Sequence, residues 1–183
     1  MEKQRIVKWS NILKWIFLVA AILLPVANAG FWITNGYPIL EKFTDPNFIP
    51  KIPGMKPLFE LSAMTKFFGF LVSLLPTAID MAALLLLAKL FAIFEKLDFF
   101  SQKSVQTIKK IGGCILLNQA FYPVYMAILS ITLTWENPTG QRMLSIALGS
   151  KQIALFVVGL SILLVSYVMD EGRKLQEEQA STI

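Results

Sequence analysis

Histidine is absent from this sequence, and cysteine occurs once, as Cys114. These shortages remove His-ligated zinc, a Ser-His-Asp triad, a Cys-His pair and any internal disulfide. Charge is scarce too. Only 16% of the 183 residues are Asp, Glu, Lys or Arg, where a water-soluble domain carries about a quarter. No Gly/Ser linker, repeat or low-complexity tract divides the chain, so residues 1–183 are read as a single membrane domain.

What the chain has instead is apolar length. Hydrophobic residues make up 55% of it, and the mean hydropathy is +0.60. Runs of this kind need a bilayer, whose core accepts about 20 apolar residues per helix. Four runs qualify, giving predicted transmembrane helices at about 12–33, 66–92, 112–134 and 152–170. The expected fold is all-α, an integral membrane four-helix bundle, with no enzyme site and no cofactor. The net charge of +5 then reflects the excess of Lys and Arg that membrane proteins keep on the cytoplasmic side, not direct nucleic-acid binding.

Two readings compete for the first run. Lys3, Arg5, Lys8 and Lys14 before an apolar stretch, with Ala27-Asn28-Ala29 before Gly30, have the form of a signal peptide. Gly30-Phe31-Trp32-Ile33 instead extends the run to spanning length, with Trp15 and Trp32 placed as interface anchors. The second reading makes residues 12–33 a transmembrane helix.

Residues 34–65 contain Pro38, Pro46, Pro50, Pro53 and Pro57, which forbid a regular helix. Tyr37, Phe43, Phe48, Leu58 and Phe59 make the segment too apolar for a free linker, so a Pro-rich outer loop folded over the helix ends is expected. Pro76 should kink the second helix and free the carbonyl of Val72. Ser101 is placed to cap the N–H of Lys103 or Ser104, with Phe100 and Val105 at hydrophobic-staple positions. Residues 141–150 are expected to form a short interfacial helix. The tail pairs Asp170 with Lys174, Arg173 with Glu177 and Lys174 with Glu178 at i,i+4, so it should continue as a solvated helix.

With both termini inside, eleven Lys and Arg residues fall on cytoplasmic segments and six on outer ones. The bias predicts N-in, C-in, with a cytoplasmic helical loop and tail.

Phe94-Glu95-Lys96-Leu97-Asp98-Phe99-Phe100-Ser101, followed by Val105, Ile108, Lys109, Lys110, Ile111 and Gly112, resembles a motif of domain-of-unknown-function family 2975. The tail Asp170-Glu171-Gly172-Arg173-Lys174-Leu175-Gln176-Glu177-Glu178-Gln179 resembles the same family's C-terminus. Asp98-Phe99 stands where the family usually has a glycine, and Ser181 where leucine is common. The resemblance implies a bacterial four-span protein of the cytoplasmic (inner) membrane, often encoded beside a small helix-turn-helix regulator. It implies no activity and supplies no catalytic residues.

Asp80 stands out, because a carboxylate at the centre of a membrane helix costs about 2.5–3.5 kcal/mol on insertion scales. Helical rise puts it level with Gln119 and Tyr122, and with Asn28, Asn118 and Tyr125 in reach of the same depth. Ser73 and Thr77 share its face. This intramembrane polar group of Asp80, Gln119, Tyr122 and Asn28 has two readings: packing through hydrogen bonds between helices, or a proton or cation site. A second group lies on the cytoplasmic segments. Lys103, Lys109 and Lys110 offer positive charge, Glu177 and Glu178 negative charge, and Phe99 and Phe100 an apolar anchor. The lysines alone could simply meet anionic lipid. Cys114 reads as a small buried apolar residue.

The expected function is therefore a non-catalytic membrane protein whose loop 95–111 and tail 170–183 dock another protein, either a small cytoplasmic regulator or another membrane protein. The alternative is a small proton or cation transporter, or a channel component, using Asp80.

Overall fold

A computed structural model of the protein describes residues 2–36, 52, 54, 56–146 and 148–181. Its elements are α1 (Glu2–Ile33), a short 3-10 turn (Leu58–Glu60), α2 (Ala63–Phe94), α3 (Gln102–Thr134) and α4 (Ser150–Ser181). No strand occurs among the described residues, and all four helices are long and apolar enough to cross a membrane. They contain 32, 32, 33 and 32 residues. Each is thus about 48–50 Å long, against a hydrocarbon core of ~30 Å.

Hydropathy marks only the part of a helix that lipid covers, so the helices run past the spans read from it. The polar ends are held by local chemistry. Ser62 Oγ accepts the N–H of Thr65 at 3.2 Å and starts α2. Ser101 Oγ accepts the N–H of Ser104 at 3.2 Å and starts α3, the expected cap. The Ser104 hydroxyl in turn donates to the carbonyl of Asp98 at 2.7 Å. The tail stays helical to Ser181, with Arg173 Nη1 2.6 Å from Glu177 and Arg173 Nη2 3.0 Å from Asp170.

The expected short helix over 141–150 does not form, since described residues 141–146, 148 and 149 are non-helical. The reason is competition from side chains. Ser130 Oγ accepts the N–H of Ser145 at 2.9 Å, and Thr134 Oγ1 that of Met143 at 3.1 Å. Asn137 Nδ2 donates to the carbonyls of Gln141 (3.2 Å) and Gly54 (2.9 Å). Backbone groups bound in this way are lost to an i→i−4 ladder.

The chain divides into two compact units: residues 1–23, 79–120 and 150–183, and residues 24–78 and 121–149. In the first unit, Phe17 and Phe91 stack at 5.6 Å, and Lys14 Nζ meets Glu95 Oε2 at 2.6 Å. α3 and α4 approach through Gly112 and Gly159, where a Cβ on Gly159 would stand 2.9 Å from Leu116. In the second unit the core is Trp32, Ile52, Leu61, Met126, Leu129 and Leu133, all buried. Ile52 and Leu61 show that parts of the 34–65 connector pack inward. Tyr37, Phe43 and Phe48, together with Pro38, Pro46, Pro50 and Pro53, lie outside the described residues. Pro25, Pro76 and Pro123 stand inside α1, α2 and α3, near the residues at which each passes from one unit to the other.

Candidate functional site

Asp80 sits near the middle of α2 and accepts a hydrogen bond from Asn118 Nδ2 of α3 at 2.5 Å. Both belong to the first unit. Gln119 is half-buried in that unit too. Asn28 and Tyr122 belong to the second unit. There Ser73 Oγ meets Asn28 Oδ1 at 2.9 Å and receives the indole N–H of Trp32 at 3.0 Å. Asn28 Nδ2 is buried with no partner. Tyr122 and Tyr125 lie 6.1 Å apart and pack against the core of the second unit. Thr77, which shares the face of Ser73 and Asp80, turns its hydroxyl back to the carbonyl of Ser73 at 2.7 Å.

Trp32 is therefore a core residue at 8% exposure, not the interface anchor expected of it, while Trp15 is 59% exposed. Its seat is made by Gly69, where a Cβ would fall 2.3–2.9 Å from the indole ring. Only a residue without a side chain lets the ring lie against α2 there.

A second polar group, centred on a residue not singled out in the sequence, lies at the end of α3. Glu136 Oε1 accepts the hydroxyls of Ser62 and Thr65, from the start of α2. These hydroxyls, first Ser62 and then Thr65, hold the Glu136 carboxyl below the usual carboxylate range. The carboxylate stands at a cleft of about 520 Å³ whose walls are mainly Met64, Phe68, Val72, Ile131 and Trp135. Arg142 lies 4.8 Å over the Trp135 ring. Nothing in the sequence joins positions 62 and 65 to 136, since the contact depends on how α2 and α3 meet. Among the described residues no group of three His, Cys, Asp or Glu is placed to hold a metal ion.

Of the loop and tail residues, Phe99 is half-buried with its ring 5.2 Å from that of Phe94, whereas Phe100 is 53% exposed. Lys103, Lys109, Lys110, Glu177 and Glu178 are exposed. Lys109 Nζ stands 4.9 Å over the ring of Tyr167 on α4. Loop and tail thus both lie in the first unit, together with the N-terminal part of α1.

The family model for the proteins of unknown function DUF2975 matches residues 34–183. This chain belongs to that family. Comparison with curated proteins and with solved structures finds no match. DUF2975 membership and the four apolar helices together describe a multi-pass membrane protein. The match takes in α2, α3 and α4 with the 95–111 and 170–183 segments, and begins after α1.

Proposed function

We propose that this DUF2975 chain is a non-catalytic, four-span protein of the bacterial cytoplasmic membrane, with both termini inside, and that loop 95–111 and tail 170–183 form a docking surface for a cytoplasmic regulator. The observation that carries this reading is the length of α4. Its apolar stretch ends at Met169, yet the helix continues through a charged segment to Ser181. At about 48 Å it outruns the ~30 Å hydrocarbon core and puts a helical surface in water.

Two further features support it. The ion pairs of Arg173 and Lys174 described for the tail join residues of the tail itself, to Asp170, Glu171 and Glu177. They stiffen it as a helix, each contributing a few tenths of a kcal/mol. Phe100, beside the cap Ser101, leaves an aromatic ring exposed on the same unit as the tail and the exposed Lys103 and Lys110. Aromatic side chains of this kind dominate binding energy at interfaces.

A photo-cross-linking amino acid at Phe100, in cells, tests the proposal. One defined soluble protein should be captured, and capture should be lost on deleting residues 175–183 or on replacing Lys103, Lys109 and Lys110 with Gln, while membrane insertion is kept. Adducts only with lipid or with this chain, unchanged in those variants, would refute docking. The alternative reading, proton or cation movement through Asp80, draws on the Asp80–Asn118 pair at mid-helix. It requires a flux from reconstituted protein that Asp80→Asn abolishes.

A further inference from the structure

Asp80 and Asn118 lie near the centres of helices about 48–50 Å long. However either helix is shifted along the bilayer normal, a ~30 Å hydrocarbon layer within that length contains both residues. Yet Asp80 is an exposed residue, and its bond to Asn118 lies at the exterior. Hydrocarbon offers no hydrogen-bond partner, and ionisable residues at this depth face protein or water. The single bond uses one of the two Asn118 N–H groups and one of the two Asp80 oxygens.

We propose that a second copy of this chain covers this face, with Asp80 of each copy accepting from Asn118 of the other across a two-fold axis. The patch is self-complementary. A carboxylate acceptor and a carboxamide donor stand side by side, and a two-fold rotation lays each against its opposite, as an isologous interface requires. The neighbouring surface of α3 permits close approach. Gly113, Leu117 and Ala120 follow at i, i+4 and i+7 and are exposed, Leu117 by 57%. A Cβ on Gly113 would meet nothing within 4 Å. Gly113 and Ala120 are small and lie two turns apart, so a helix of the second copy can pack beside each of them with Leu117 between, in lipid where van der Waals packing and interhelical hydrogen bonds replace the hydrophobic drive. The proposal is independent of docking at the loop and tail.

The test uses full-length protein in native membranes, in a Cys114→Ser background. Leu117→Cys, oxidised with copper phenanthroline in air, should give a disulfide-linked species of twice the chain mass. It should form at least 10-fold faster than with Leu164→Cys, a control on α4 that is 65% exposed. Adding Asp80→Leu should slow the reaction about 10-fold, and Asp80→Asn, which keeps a hydrogen-bonding group, less than 2-fold. Should Asp80→Leu fail to insert, Asn118→Leu takes its place, and the comparison of positions 117 and 164 decides by itself. Equal rates at the two positions would overturn the proposal. So would a product of another mass, which marks a different membrane partner, or ready labelling of Leu117→Cys by a charged maleimide, which marks a water-filled path.

Discussion

Gly69→Ala puts a methyl group where the Trp32 indole lies. The added Cβ would stand 2.3, 2.6 and 2.9 Å from three carbons of the six-membered ring, all inside the range real Cβ atoms avoid. Trp32 is 8% exposed within the core of its unit and bonded to Ser73, so it has little room to retreat. Overpacking costs about 1–3 kcal/mol, and losing the indole–hydroxyl bond adds about 0.6 kcal/mol. Alanine's better helical preference returns about 1 kcal/mol. The net is a destabilisation of about 0.6–2.6 kcal/mol. Gly172→Ala is the control: a Cβ there meets nothing within 4 Å, so only the gain of up to about 1 kcal/mol should appear. Equilibrium unfolding of purified protein by SDS titration in mixed micelles, with and without Trp32→Leu, measures both. Without the indole, Gly69→Ala should become neutral or stabilising. An equal loss in both backgrounds, or stabilisation of the wild type by Gly69→Ala, would refute the packing argument.

Glu136 predicts a pH effect. Its pKa in the folded chain lies below the ordinary 4.5 because the hydroxyls of Ser62 and Thr65 donate to it, so its stabilisation is present above pH 4.5 and lost as pH falls through the folded value. Glu136→Gln should flatten the dependence of unfolding on pH below 4.5, and an unchanged profile would contradict the assignment. Exchanging charges in Lys14→Glu/Glu95→Lys should restore most of what either single change removes, up to about 1 kcal/mol for a pair of this partial exposure. Double-mutant analysis of thermal unfolding reads the coupling, and strict additivity would deny it.

Much of the architecture was legible because lipid imposes a one-dimensional rule. Four apolar runs gave four helices, Ser101 identified the start of α3, and i,i+4 charges identified the helical tail. Azimuth was harder to read. Helical rise placed Asp80 level with Gln119 and Tyr122 and left Asn118 only in reach of that depth, but neighbouring residues point about 100° apart. On helices apolar on nearly every side, periodicity does not say which one faces Asp80. Asn118 makes the bond. Trp32 was misread for the same reason: at a helix end, an aromatic ring packed on a distant glycine looks in sequence like one at the lipid surface. The Glu136 group and the non-helical path of residues 141–146, 148 and 149 depend on side chains meeting across helices, which composition and spacing do not encode.

The central claim is that loop 95–111 and tail 170–183 face the same, cytoplasmic, compartment. Paired reporter fusions, one active only inside and one only outside, test it when joined after Pro57, Gln102, Thr139 and Ile183. The account predicts outside signals at Pro57 and Thr139 and inside signals at Gln102 and Ile183. Gln102 and Ile183 on opposite sides of the membrane, or a purified protein whose N-terminus is Gly30, would contradict it.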